Sequence, residues 1–321
     1  VAERSGLDYE YARRVWRALG MPEVDPDTPY FDEVDVATLA SLKQLIDAGV
    51  DREAIIVNAR VYGQAYARIA EVDARLFHQI YAADDQVTLE AAVPALLRAT
   101  QLQRQDSLRR HATLAVRDIV LSDGAGATSA QAVGFVDLVD FTQLSMDLHG
   151  EDLGRLIGRF EEIAIESCAN AGSRLVKMIG DAVMFVAADP VRVLATARGA
   201  VAAVRDDATL FEARAGLDFG PVLASGGDYF GTPVNTASRI TGFARSGTVV
   251  ASEAFVEALE AGQTPVRDLG RQTLRGVGPV RLYKLRQEPP PGTEPVEGEG
   301  AASRTTVKAV RAARKRERKQ A

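Results

Sequence analysis

Asp137 closes the apolar run of GFVDLVDFT, and Asp181 stands between the two β-rich halves of SRLVKMIGDAVMFVAA. Carboxylates at the ends of neighbouring strands are hard oxygen donors that hold Mg²⁺ or Mn²⁺ against phosphates. A single Asp is more often a turn or capping residue, and Asp140 and Asp147 are read that way. Lys177 stands out by scarcity: the chain has six lysines against 32 arginines, and residues 132–286 hold only Lys177 and Lys284. A compact ammonium suits one acceptor atom better than a planar guanidinium does. A strand-edge surface lysine is the plain alternative, and the scarcity favours a functional role. GGDYFGTPVNTASRITGFA adds Asn235 and Arg239, four apart and so on one helix face. Asp228 precedes Asn235 by seven residues, across a loop where Gly226, Gly227 and Gly231 let the backbone approach a ligand. Singly, Asn235 reads as a helix cap and Arg239 as a surface charge; only the combination carries weight.

These residues need elements to hold them. AVGFVDLVDF reads as a strand, with a helix over about 151–170 after it. The runs flanking Gly180-Asp181 form a hairpin. A helix (190–205), a strand (213–219), a Gly-rich loop (225–231), a helix (233–244), a strand (247–251) and two terminal strands complete the region. A hairpin inside a mixed order argues for an α+β fold with an antiparallel sheet, not a doubly wound parallel one. Residues 1–121 read as helical throughout. Helices are expected near 8–19 and 35–47, the latter capped by Asp35 and followed by Gly49. Ile55, Ala59, Tyr62, Tyr66, Ile69, Leu76 and Ile80 recur at helical steps and predict a buried stripe. A long periodic stretch from Leu89 to Val116 ends at SDGAGATSAQ, residues 122–131, the expected linker. The divisions are thus 1–121 helical, 122–131 linker, 132–286 the α+β domain, and 287–321 a Pro/Gly/Glu-rich tail with a basic end, expected to be disordered.

The 321 residues are enough for two domains, with 46% apolar and 26% charged residues. No apolar run approaches the roughly 18 residues of a membrane span. VAERSGLDYEYARR is charged and lacks an apolar core, so no secretory signal is expected. Cys168 is the one cysteine, which excludes a disulfide framework and fits a reducing cytoplasm. Residues 301–321 carry a net +7, which leaves −13 on the other 300 residues of this −6 chain. So acidic a body disfavours nucleic acid as a partner.

FVDLVDFT, then KMIGD, then DYFGTPVNTASR resemble, in order and spacing, the signature of class III nucleotidyl cyclases. The resemblance covers residues 132–286 and implies a ferredoxin-like catalytic domain that works as a head-to-tail homodimer with its sites at the interface. It further implies that Asp137 and Asp181, with the carbonyl of Leu138, bind two Mg²⁺ or Mn²⁺ ions per site. By the same resemblance, Lys177 and Asp228 read the adenine of ATP, Asn235 orients the ribose, and Arg239 stabilises the pentavalent phosphorus. Arg214 and Arg275 look like triphosphate contacts on a looser alignment. Residues 3–118 are similar to the all-α regulatory domain of soluble bacterial adenylyl cyclases that respond to pH. Of the three histidines, His78, His111 and His149, His111 lies on the helix that leads into the linker, next to Arg109 and Arg110, and is the candidate pH-responsive group.

The expected activity is therefore conversion of ATP to cyclic AMP and pyrophosphate. A guanylyl cyclase carries different residues at the purine pair. A catalytically silent nucleotide-binding regulator would not need every core position filled. A DNA-binding regulator built on the helical front is disfavoured by the acidic body.

Overall fold

In the computed structural model the described residues are 1–23, 30–81, 89–121, 128–141, 150–259, 264–286 and 305–306. They fall into two compact units, Val1–Ala125 and Gly126–Ala321.

The first unit is helical: α1 (Ala2–Ser5), α2 (Tyr9–Ala18), α3 (Glu33–Asp47), α4 (Arg52–Tyr81) and α5 (Leu89–Leu121). Asp8 caps α2 by accepting from the Tyr11 amide at 2.8 Å, and it also pairs with Arg52 at the start of α4. The Tyr11 hydroxyl donates to the Arg52 carbonyl at 3.0 Å. Around these ties Leu7, Tyr11, Ala12, Val15, Ile56 and Ala59 form a small core. The cap of α3 is Asp32, not Asp35. Asp32 accepts from the Val34 and Asp35 amides while Asp35 accepts from the Asp32 amide, a reciprocal box that acidic residues three apart make possible.

The stripe expected on α4 is buried only at its beginning. Ile55 and Ala59 are covered, whereas Tyr62, Tyr66, Ile69 and Leu76 are exposed; the Ile80 side chain lies outside the described residues. The helix has 30 residues, about 45 Å of length, and outruns the small cluster at its start.

The second unit carries a nine-stranded sheet in the order β2-β3-β1-β4-β6-β8-β7-β9, with β5 paired to β4. The strands are β1 (Thr128–Leu138), β2 (Arg174–Ile179), β3 (Ala182–Ala187), β4 (Ala213–Ser225), β5 (Asp228–Phe230), β6 (Val249–Ser252), β7 (Pro265–Leu274), β8 (Gly278–Leu285) and β9 (Thr305–Thr306). Among the described residues only β4 and β6 run parallel, and every other pair is antiparallel. The helices are α6 (Gly150–Ala171), α7 (Pro190–Asp206), α8 (Thr232–Phe243) and a short α9 (Glu253–Ala258) that the sequence reading missed.

Strand alternation divides the sheet into two faces. Ala132, Val136 and Leu138 of β1 join Phe160 and Ile163 of α6 and Val193 and Val201 of α7 in the main core. Val133 and Phe135 point the other way, onto Met184, Val186, Val222 and Ala237 of α8. Asp137 shares the parity of Val133 and Phe135, so it ends β1 on the α8 face.

Three expectations change. Residues 128–131 are strand, not linker: Thr128 pairs with Leu223 and Gln131 with Gly220, because β4 runs on to Ser225 and supplies a partner. The glycine-rich loop holds a strand, β5, behind a two-residue turn whose glycines have φ of 60° and 79°, the type I′ pattern. In the tail, Thr305–Thr306 pair with the outer edge of β7; the rest of residues 287–321 lies outside the described residues, as do Asp147 and His149.

Candidate active site

The end of β1 places the first group. Asp137 lies directly opposite Arg214 of β4, and Arg214 donates from Nε and Nη2 to Asp137 Oδ2 at 2.9 and 2.7 Å. The Asp137 side chain is 17% exposed. Burial pushes its pKa up, the Arg214 hydrogen bonds oppose that, and the nearby Asp181 charge adds to the rise, which wins. Asp181 occupies the second position of the β2–β3 turn, where Ile179 pairs with Ala182 and Gly180 has φ 62°. Positive φ at the first turn position alone is the type II′ arrangement, which requires Gly there. The Leu138 amide donates to the Asp181 carbonyl at 3.1 Å, tying the turn to the strand end.

The Leu138 side chain is buried in the main core, so only its backbone can serve a ligand. Asp140 has φ 59°, in keeping with its reading as a turn residue. Among the described residues no three His, Cys, Asp or Glu side chains converge. Asp137 and Asp181 thus offer two hard carboxylates, too few for an all-protein cage. They fit a cation that brings phosphate oxygens as its remaining ligands, which is the usual mode of Mg²⁺.

A second group lies on β2, β5 and α8. Lys177 pairs with Met184, whose side chain belongs to the α8-face cluster, so Lys177 is on that face too. Its ammonium makes an ion pair with Asp228 of β5, 51 residues away. Asp228 also accepts from the Tyr229 amide at 2.8 Å. Arg174 lies over the Tyr229 ring at 5.8 Å, a second tie between β2 and β5.

Helix α8 begins after Gly231, which has φ 138°, and carries a Pro in its first turn. Pro233, Ala237 and Ile240 are buried and leave Asn235 and Arg239 exposed on the opposite side. Neither side chain has a hydrogen bond or ion pair to a described residue. Arg275 is exposed in the β7–β8 turn. His111 is exposed on α5, its Nδ1 2.8 Å from the Ser107 carbonyl, while Arg109 and Arg110 both bridge to Asp106 instead of facing it.

The fold thus joins Asp137, Asp181 and Arg214, and separately Lys177 and Asp228. No hydrogen bond or ion pair between side chains connects the two groups among the described residues. One polar residue escaped the sequence reading: Asp218 of β4, 6% exposed, with its pKa pushed up to about 6 by burial. Its signal was available, a lone acid inside the apolar strand AGLDFG.

Residues 125–287 match the family model of the adenylate and guanylate cyclase catalytic domain, and residues 1–81 that of the adenylate cyclase regulatory domain. The front match stops at residue 81, short of the expected 118. An adenylate cyclase of Streptomyces coelicolor is 35% identical over 267 residues, covering 80% of this chain and 70% of that protein. The pH-sensitive adenylate cyclase MT1302 of Mycobacterium tuberculosis is 32% identical over 308 residues, covering 89% of this chain and 77% of that protein. Among solved structures, the catalytic core of a rhodopsin-guanylyl cyclase with converted specificity is 23% identical, with a TM-score of 0.47 over 50% of this chain and 98% of that one. No helix among the described residues is long and apolar enough to cross a membrane.

Proposed function

This chain belongs to the class III nucleotidyl cyclase family, with an adenylate cyclase regulatory domain ahead of the catalytic one, and on that premise we propose that it converts ATP to 3′,5′-cyclic AMP and pyrophosphate. The observation that carries the reading is the Lys177–Asp228 pair, a cationic donor and an anionic acceptor held side by side. Adenine offers N1 as an acceptor and its 6-amino group as a donor, which that pair complements. Guanine presents the reverse polarity at both positions.

Asp137 and Asp181, with the Leu138 carbonyl, would hold two Mg²⁺ or Mn²⁺ ions. When bound, the cations lower the pKa of the ribose 3′-hydroxyl and neutralise charge on the phosphoryl oxygens. The 3′-oxygen forms a bond to the α-phosphorus, the bond to the pyrophosphate oxygen breaks, and the hydroxyl proton passes to substrate or water. Arg214, which pairs with Asp137, would contact the polyphosphate, and Arg275 would add a second contact. Asn235 fixes the ribose and Arg239 places positive charge where the pentavalent phosphorus gains negative charge.

Among the described residues no side-chain hydrogen bond or ion pair joins the two groups, which supports a homodimer in which one copy supplies Asp137 and Asp181 and the other Lys177, Asp228, Asn235 and Arg239. The front domain is proposed to regulate turnover, with pH as its signal and His111 as one candidate group; a relative bears the name pH-sensitive adenylate cyclase. The purified chain with Mn²⁺ and either ATP or GTP tests the activity. Cyclic AMP from ATP is expected; cyclic GMP at equal or greater rate overturns the purine reading, and no product from either nucleotide leaves a silent regulator.

A further inference from the structure

Strand β2, which carries Lys177, is one residue longer than the stretch of β3 it pairs with. Arg174 and Leu175 lie opposite Val186 and Phe185, whereas Lys177 and Met178 lie opposite Met184 and Val183. Val176 is left without a partner in the β2–β3 register. This is a β-bulge, in which two residues of one strand oppose one of the next and side chains are re-aimed. Leu175 and Met178 both pack on the main core, although strict alternation would put residues three apart on opposite faces. With Leu175 in the core and no bulge, Lys177 would share its face and stand opposite Val183, which is 1% exposed. A lysine there would be a buried charge at high cost.

The bulge instead puts two consecutive residues on the α8 face. Val176 is half-buried and packs against the cluster that holds Val133, Phe135, Met184 and Val186. Lys177, beside it, keeps 39% of its side chain exposed, and its ammonium pairs with Asp228 of β5. One residue covers the apolar surface and the next carries the charge beyond it.

We propose that Val176 is a positioning residue for purine recognition: by covering the apolar cluster beside Lys177, it keeps the lysine stem off that cluster and the ammonium out at Asp228. The inference rests on the reading of Lys177 and Asp228 as the purine pair given above. The stem of a lysine is apolar and lies along apolar surface wherever such surface is open. Truncation of Val176 opens that surface above Met184, so the stem settles there and the ammonium withdraws from Asp228 and from the base. The pair meets the base and not the reacting phosphorus, so the loss falls on KM and leaves kcat in place.

The test uses the full chain with Mn²⁺, measuring kcat and KM for ATP and the inhibition constant of GTP as a competitor, alongside thermal unfolding. Val176→Ala is expected to raise KM for ATP about tenfold, the weight of one lost hydrogen bond to a charged group. Its kcat should stay within about twofold of the parent, and its preference for ATP over GTP should narrow. Val176→Ile keeps the cover and should stay within about twofold of the parent in KM and in preference. Deletion of Val176 leaves every β2–β3 pair in place and should narrow the preference at least as far as Val176→Ala. If the deletion does not fold, the Val176→Ala and Val176→Ile pair decides alone. A Val176→Ala protein with parental KM and preference, or an equal loss in Val176→Ile, overturns the proposal. Lys177→Ala runs in parallel. A parental preference in Lys177→Ala would overturn the purine reading itself, whereas its loss there beside a parental Val176→Ala would overturn only the role of Val176.

Discussion

The two units spend their apolar residues differently. In the second, Phe160, Phe185, Phe255 and Tyr283 are fully covered, and both sheet faces carry packed clusters. In the first, the packed cluster is confined to α2, the start of α4 and their neighbours. Beyond Ala59, Tyr62, Tyr66, Ile69, Val72 and Leu76 of α4 are exposed, as are Leu102, Leu108 and Val116 of α5. The second unit buries most of its apolar pattern, though Ile165, Phe211 and Phe230 stay exposed; the first leaves the α4 and α5 faces largely uncovered among the described residues. The second unit therefore has the packed core that can hold side chains in fixed positions, and the first has a much smaller one.

The sharpest break in that comparison is chemical. Asp137→Ala or Asp181→Ala should lower cyclic AMP formation at least about 100-fold, since each removes a carboxylate that would hold a cation against the reacting phosphates. Mixing Asp137→Ala with Arg239→Ala protein should restore activity in exchanged dimers. Mixtures as dead as either parent would remove the shared site.

Next in size is the pH response of Asp218. Its folded pKa, about 6, lies above the usual 3.8 of Asp because burial penalises the charged form. The folded state thus binds its proton more tightly, so this group's contribution is fully present below 3.8 and is lost as pH rises through about 6. The whole interval corresponds to about 3 kcal/mol. Urea unfolding of Asp218→Asn should gain on the parent by up to that amount between pH 4 and pH 7.5. A constant difference across that range would show that the carboxylate is not held in an apolar site.

Two glycines offer a matched pair, one per unit. A Cβ on Gly63 of α4 would lie 2.3 Å from the Leu19 carbonyl oxygen, much as one on Gly216 would meet α8. Each Gly→Ala change should cost about 1–3 kcal/mol by overpacking. Gly216→Ala should lower kcat and the melting of the sheet unit. Gly63→Ala should act on the helical unit and shift the pH profile. Equal effects of both on kcat would mean that the units do not differ as argued.

The smallest effects are expected on the surface. Leu76→Lys should leave the stability of one chain within about 0.5 kcal/mol and weaken self-association by light scattering. His111→Ala should displace the pH–activity profile without changing the melting temperature; a superimposable profile would clear that residue.

Much of the molecule was legible from local chemistry. Gly180 before Asp181 announces its turn because φ preferences act within a few residues. The Asn235–Arg239 face followed from helical spacing alone. The β4 extension and the β5 strand were not legible, since each depends on which partner strand is present; the Asp32–Asp35 cap was missed although it is local to three residues.

The sequence by itself thus determined the residue types, their order and most element boundaries. Only the tertiary structure decided that Asp137 meets Arg214 across 77 residues and Lys177 meets Asp228 across 51. It also decided that Asp218 is buried under α8 while the α4 stripe beyond Ala59 is not covered. Both outcomes have one physical cause. Strand order and register bring together groups that no local pattern links, and a periodic apolar face states only that burial is favourable, not whether a single chain supplies the surface to bury it.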